Sequence, residues 1–198
     1  LMAKKKLFSM CDTAILNLDD PYYTQMAQGL ICKQLTFSTS NITADYSAQN
    51  IQYQGKGVRF ACVKKGAIGR VDFCMPGEFS VSNALAVLAS GVSLGIAFDK
   101  MVDALNHTRG VRGRTEVLYT NEDFTIICDY AHSPDGLEKV LKAIKNSVEG
   151  RVVVVFGSAG ERDRTKRPKM GQAVAKYADY IYLTSDKPRS EDPMQIIH

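Results

Sequence analysis

The chain has 198 residues, 45% hydrophobic and 23% charged, with a formal charge of +4. That length can bury a real core, and the composition excludes a disordered, collagen-like or coiled-coil protein. So mild and scattered a charge suits anionic small molecules but does not argue for nucleic acid.

Residues 1–8, Leu-Met-Ala-Lys-Lys-Lys-Leu-Phe, read as the inside of a helix without a cap, and 193–198 as the start of another, so both ends are read as cut. Residues 14–18 form a compact apolar run, the pattern of a buried strand, and Asp19, Asp20 and Pro21 follow as a turn and helix start. Between Gln34 and Cys74, Gly and Ser/Asn/Thr punctuate strand-like runs. Residues 50–54, 58–63 and 69–74 alternate at period two and predict antiparallel strands with one wet face. Met75, Pro76 and Gly77 break that pattern. Val81, Ala84, Leu85, Leu88 and Val92 then recur at helical spacing until Gly95, and a second helix is expected at 98–106. Residues 108–114, with two glycines and three arginines and no periodicity, read as an interdomain linker.

Beyond it the pattern becomes strand, helix, strand, helix, strand. The runs 124–128 and 151–156 are continuously apolar, as in parallel sheets buried on both faces. Leu137, Val140, Leu141, Ile144 and Val148 form a helical stripe between them; a helix over about 169–177 precedes a third strand at 180–184. This order predicts an α/β, doubly wound parallel sheet whose sites lie at the carboxyl ends of its strands. Cys11, Cys32, Cys62, Cys74 and Cys128 form no CxxC pair, and their number and spacing suit neither zinc nor a disulfide framework. Most lie in strand-like runs and are expected as buried free thiols. No apolar run reaches the roughly 18 residues of a membrane span and no signal-peptide pattern occurs, so a cytosolic protein is expected.

The polar clusters of the second half follow its strands. The first strand runs into Asp129, His132, Ser133, Pro134 and Asp135; Ser133 or Asp135 suits a helix cap and Pro134 a first turn. The second runs into 157–168, where Arg162, Arg164, Lys166 and Arg167 put four cations within six positions ahead of a helix. Such a loop suits phosphate or carboxylate, or is simply a solvated basic turn. It is not a P-loop, because no G-x-x-x-x-G-K-[ST] occurs in the chain. The third runs into Asp186, Lys187, Pro188 and Arg189, an acid and an arginine on a proline-stiffened turn that can grip both ends of a zwitterionic amino acid, with Asp192 as cap of the next helix.

These stretches occur in a fixed order: Gly-Glu-Phe-Ser-Val-Ser-Asn at 77–83, Gly-Arg-Thr-Glu at 113–116, Asp-Tyr-Ala-His-Ser-Pro-Asp-Gly-Leu-Glu-Lys at 129–139, Val-Phe-Gly-Ser-Ala-Gly-Glu-Arg-Asp-Arg-Thr-Lys-Arg-Pro at 155–168 and Thr-Ser-Asp-Lys-Pro-Arg-Ser-Glu-Asp-Pro at 184–193. The set resembles the Mur ligases, in the branch that adds the third peptide residue to UDP-MurNAc-L-Ala-D-Glu. The resemblance implies that 1–110 is the second half of a central ATPase domain, a mixed sheet with helices. It makes 111–198 the first half of a Rossmann-like C-terminal domain with parallel strands. It further implies ATP and Mg²⁺ as cofactors, and amide formation through an acyl phosphate of the D-Glu carboxylate. The 198 residues alone are expected to be inactive for want of a P-loop.

Residue by residue, the resemblance makes Lys4 the candidate carbamylated, Mg²⁺-associated lysine, with Lys5 and Lys6 as solvated neighbours. Asn83, Arg114 and Asp129 match ATP contacts on the base, phosphate and ribose sides. Arg162, Asp186, Lys187, Pro188 and Arg189 match the pocket of the incoming amino acid. Ser80 stands where the family has the first Asn of an Asn-x-x-Asn pair, which weakens one expected nucleotide contact. Lys187 replaces the Asn of an Asp-Asn-Pro-Arg motif. Arg189, a bidentate partner for a carboxylate, favours meso-diaminopimelate over L-lysine. The alternatives are an L-lysine-adding enzyme, a folylpolyglutamate or cyanophycin synthetase relative, and a non-catalytic remnant or binding module.

Overall fold

A computed structural model describes residues 2–54, 57–121, 123–146 and 148–198. The chain divides into two units, Leu1–Gly110 and Val111–His198. In the first, helix α1 (Met2–Lys5) runs into a 3-10 turn (Lys6–Met10). Leu1, with which the helix reading opened, lies outside the described residues. Strands β1 (Thr13–Asn17) and β2 (Lys33–Ser38) pair in parallel around the short helix α2 (Tyr23–Ala27). Strand β3 (Tyr46–Gln54) joins β2 in parallel, and β4 (Gly57–Lys64) and β5 (Ala67–Phe73) add antiparallel, in the order β1-β2-β3-β4-β5. The period-two pattern sends alternate side chains to one face, burying Val58, Phe60 and Cys62 of β4 and Val71 and Phe73 of β5.

Against that face packs α3 (Glu78–Ser93), whose Val81, Ala84, Leu85 and Leu88 are completely buried, as their spacing predicts. Removing a leucine of this kind from water is worth about 1.5–3 kcal/mol. Helix α4 (Phe98–Asn106) covers β5. Its last residue replaces the strand that β5 lacks on that side: the Asn106 Oδ1 accepts from the Asp72 amide at 2.8 Å, and its Nδ2 donates to the Arg70 carbonyl at 3.2 Å.

The second unit begins with an antiparallel pair, β6 (Glu116–Thr120) and β7 (Thr125–Cys128). Helix α5 (Pro134–Lys145) leads to β8 (Val153–Phe156), helix α6 (Lys166–Ala175) and β9 (Tyr180–Leu183), and β8 and β9 pair in parallel. Helix α7 (Pro193–Ile197) ends the chain. Leu137 and Leu141 of α5, Met170, Ala173 and Val174 of α6, Val152 and Val154 form the core of this unit.

Several expectations need correction here. Among the described residues of the second unit, parallel pairing is confined to β8 and β9; β7 pairs with β6 instead. Nor are the apolar runs buried on both faces. Helices cover Val152 and Val154, whereas Val155 is 67% exposed and Tyr182 62% exposed on strands with helices on one side only. Helix α5 stops at Lys145, so Val148 lies beyond the stripe it was assigned to. Helix α6 starts at Lys166, three residues earlier than read, because Pro168 sits in its first turn, where a missing N–H costs nothing. Of the five cysteines only Cys62 is buried, and burial pushes its thiol up to about 12. Cys74 and Cys128 are exposed. Among the described residues no helix is long and apolar enough to cross a membrane.

Candidate functional site

The carboxyl ends of β8 and β9 release two loops that run side by side. The Thr184 amide donates to the Phe156 carbonyl at 2.9 Å, and the Gly160 amide to the Lys187 carbonyl at 2.9 Å. Only glycine allows so close an approach. A Cβ at Gly157 would collide with the Thr184 carbonyl oxygen, and one at Gly160 with the Pro188 carbonyl oxygen. The loop after β7 joins them through Lys166, whose Nζ donates to the His132 carbonyl at 2.7 Å. Three strand ends therefore converge within one unit, where open α/β sheets bind their ligands.

Three of the four cations of the first loop have partners within the protein. Arg167 forks onto Glu191, with Nη1 3.1 Å from Oε2 and Nη2 3.0 Å from both oxygens. Arg164 reaches the same carboxylate at 3.2 Å, and Lys166 is spent on His132. Arg162 is exposed and has no intramolecular partner among the described residues, which leaves it free for a ligand. The Glu161 N–H donates to Glu191 at 2.5 Å. That bond lowers the Glu191 carboxyl below its ordinary range against the opposing effect of burial, helped by Arg167 and Arg164.

Glu161 and Arg189 both adopt left-handed backbone, with φ of 55° and 56°. Such strain in non-glycine residues persists only where the surroundings over-determine it. The Glu161 carboxylate accepts from the Ser190 hydroxyl at 2.6 Å and stands 3.8 Å from Arg189 Nη1. The Ser190 hydroxyl and amide, followed by Arg189, hold its pKa below the ordinary value against burial. At 3.8 Å this ion pair is loose, and Arg189 keeps most of its five donors for another carboxylate. Asp186 and Lys187 are exposed, without side-chain partners among the described residues, and Pro188 is half-buried between the loops. Ser133 caps α5 by accepting from the Gly136 amide at 3.2 Å, and Asp192 caps α7 by accepting from Met194 at 2.9 Å, as their positions suggested.

Arg114 and Asp129 also come together. Asp129 Oδ2 accepts from the Thr115 amide at 2.7 Å and Oδ1 from the Ala131 amide at 2.7 Å. Arg114 stacks over the Tyr130 ring, 4.9 Å from its centroid. An arginine, a carboxylate and an exposed ring fit the phosphate and ribose of a nucleotide, although much of Asp129 is engaged in shaping its own backbone. Asn83 is exposed on α3, in the other unit. Ser80 faces inward: it is fully buried and its hydroxyl donates to the Pro76 carbonyl at 2.9 Å, so it presents nothing to a ligand.

Lys4 is exposed on α1 and has no partner among the described residues. Lys5 is not the solvated neighbour that was expected: its Nζ donates to the carbonyls of Gln25 at 2.7 Å and Gln28 at 2.6 Å. Among the described residues no group of three or more His, Cys, Asp or Glu side chains could hold a metal ion. Sequence reasoning missed Arg167 and Glu191 as partners. Their separation of 24 residues gives no local signal.

Comparison with known proteins identifies relatives of both units. Residues 1–91 match the Mur ligase middle domain, and residues 113–198 match the Mur ligase, glutamate ligase domain. The chain is 40% identical over 197 residues to UDP-N-acetylmuramoyl-L-alanyl-D-glutamate–2,6-diaminopimelate ligase 1 of Clostridium acetobutylicum, covering 98% of this chain and 41% of that protein. It is 41% identical over 198 residues to the corresponding ligase of Alkaliphilus metalliredigens, covering 98% of this chain and 40% of that one. A solved diaminopimelate ligase of the same kind superposes with a TM-score of 0.66 at 37% identity, covering 98% of this chain and 41% of the other. MurF from Acinetobacter baumannii, at 18% identity, has a TM-score of 0.78 over 93% of this chain and 42% of its own and shares the fold. The chain thus spans about two fifths of the length of the relatives it matches.

Proposed function

Since the chain belongs to the Mur ligase family, we propose that it is a segment of the ATP-dependent ligase that adds meso-diaminopimelate to UDP-MurNAc-L-Ala-D-Glu in the cytoplasmic stage of peptidoglycan synthesis. In this reading 1–110 belong to the central ATPase domain and 111–198 open the Rossmann-like C-terminal domain. ATP, when bound, supplies the phosphoryl group that turns the D-Glu carboxylate into an acyl phosphate. The amine of the incoming amino acid attacks the acyl carbon, the new C–N bond forms, and phosphate leaves. Mg²⁺ accompanies ATP in this reading, and a carbamylated Lys4 would supply a carboxylate that helps hold it.

The amino-acid pocket carries the proposal. Arg162, Asp186, Lys187, Pro188 and Arg189 lie on the two joined loops at the ends of β8 and β9, and Arg162, Asp186 and Lys187 are exposed with no partner among the described residues. Arg189, with donors free for a bidentate pair, is proposed to take the side-chain carboxylate of diaminopimelate, a second carboxylate that L-lysine lacks. Asp186 then suits an ammonium, and Arg162 the other carboxylate. Arg114 and Asp129, with Asn83 of the other unit, are the proposed ATP contacts. Lys4 remains the proposed site of carbamylation, a reading supported by the engagement of Lys5 with Gln25 and Gln28, which leaves Lys4 facing solvent.

Calorimetric titration of this chain with meso-diaminopimelate and with L-lysine tests the pocket. Diaminopimelate is expected to bind the more tightly, and Arg189→Ala to remove that preference. Equal binding of the two amino acids, or a preference unchanged in Arg189→Ala, would refute it.

A further inference from the structure

Arg167 and Glu191 are absent from the pocket just described, yet they join its two loops. Arg167 lies in the first turn of α6 and Glu191 two residues beyond Arg189. Their side chains are only 13% and 12% exposed. A guanidinium and a carboxylate so far removed from water must satisfy each other, and the fork at 3.0–3.1 Å fixes orientation as well as distance. The Arg167 Nε is buried with no acceptor among the described residues, so its contacts with Glu191 and the Ala159 carbonyl are what compensate the charge.

Glu191 also holds the Glu161 N–H, and with it the left-handed backbone of that residue. From there the Glu161 carboxylate reaches the Ser190 hydroxyl and Arg189. A continuous line of contacts therefore leads from the start of α6 to the arginine of the pocket. On its other side the Gly160–Lys187 backbone bond closes the same frame.

We propose that Arg167 and Glu191 are positioning residues: their buried pair sets the turn that carries Arg189, and thereby the discrimination in favour of an amino acid with a second carboxylate. Discrimination here rests on the amino-acid pocket reading above; the frame itself does not. Neither residue touches substrate in this account. The pair acts through the backbone of Glu161 and through Arg189.

The test uses this chain with Glu191→Gln and, as a milder change that keeps the charge but not the fork, Arg167→Lys. Amide hydrogen exchange at Gly160 and Glu161 reads the frame, and calorimetry with meso-diaminopimelate and L-lysine reads its consequence. Glu191→Gln is expected to speed exchange at both amides and to weaken diaminopimelate binding, each by roughly tenfold or more, while leaving L-lysine unchanged. Arg167→Lys should fall between Glu191→Gln and the unmodified chain. Unaltered exchange in both variants would overturn the frame whether or not an amino acid binds. Equal losses for the two amino acids would overturn the role in discrimination and reduce the pair to a fold element. If the unmodified chain binds neither amino acid, the pocket reading fails and the discrimination claim with it, while exchange at Gly160 still decides the frame.

Discussion

Gly160 has no side chain to contribute, yet it decides how closely two loops can meet. Its amide bonds to the Lys187 carbonyl, and the space where a Cβ would stand is filled by the Pro188 carbonyl oxygen. Backbone on both sides leaves nothing flexible to yield. Gly160→Ala should therefore lower the unfolding free energy of the second unit by about 1–3 kcal/mol, as overpacking does, and should weaken diaminopimelate binding through the displaced turn. Denaturant unfolding and calorimetry on the same variant check both effects. A fully stable variant with intact binding would mean that the loops are not held as closely as Gly160 implies. Glu161 and Arg189 show the complementary device: two non-glycine residues kept in left-handed backbone by the bonds around them.

Between elements, a single carboxylate ties the end of β1 to the turn after β2. Asp19 accepts from the Thr39 amide at 2.7 Å, from the Thr39 and Ser40 hydroxyls, and from the Ser38 hydroxyl. Burial pushes its pKa up, but these donors outweigh burial and the net shift is downward. A carboxyl lowered in the folded state adds stability that is fully present above its unfolded value, near about 4. That stability is lost as pH falls through the lowered folded value. Unfolding midpoints measured from neutral pH into acid should therefore show Asp19→Asn less stable than the unmodified chain at neutral pH, with the gap closing below about pH 4. A gap independent of pH would contradict this role.

Elements with strong local patterning were legible in the sequence. Helix α4 spans 98–106 as expected, and α3 buries Val81, Ala84, Leu85 and Leu88 of its stripe, with Val92 partly buried. Strand β6 was not foreseen, because Val117, Leu118 and Tyr119 give a short apolar run straight after the linker. Its signal was the turn that follows, where Asn121 Oδ1 accepts from the Asp123 and Phe124 amides. The convergence of strand ends followed from the order of strands and helices. What joins those ends did not: Glu191 meets Arg164 and Arg167 across the fold, and no local spacing reports a long-range ion pair. For the same reason local spacing does not report that three of the four clustered cations have partners within the protein.

At the scale of the whole chain, each unit has its own apolar core. The first centres on α3 and the mixed sheet, the second on α5, α6 and β8. Asn83 and Lys4 lie in the first, and Arg114, Asp129, Arg162 and Arg189 in the second. No P-loop motif occurs in residues 1–198, and we assign turnover to the longer ligase proposed above. The most direct measurement is phosphate release from ATP by that full-length ligase, given UDP-MurNAc-L-Ala-D-Glu with either meso-diaminopimelate or L-lysine. Release should depend on diaminopimelate and not be supported by lysine. Release supported by lysine in preference, or by neither amino acid, would contradict it.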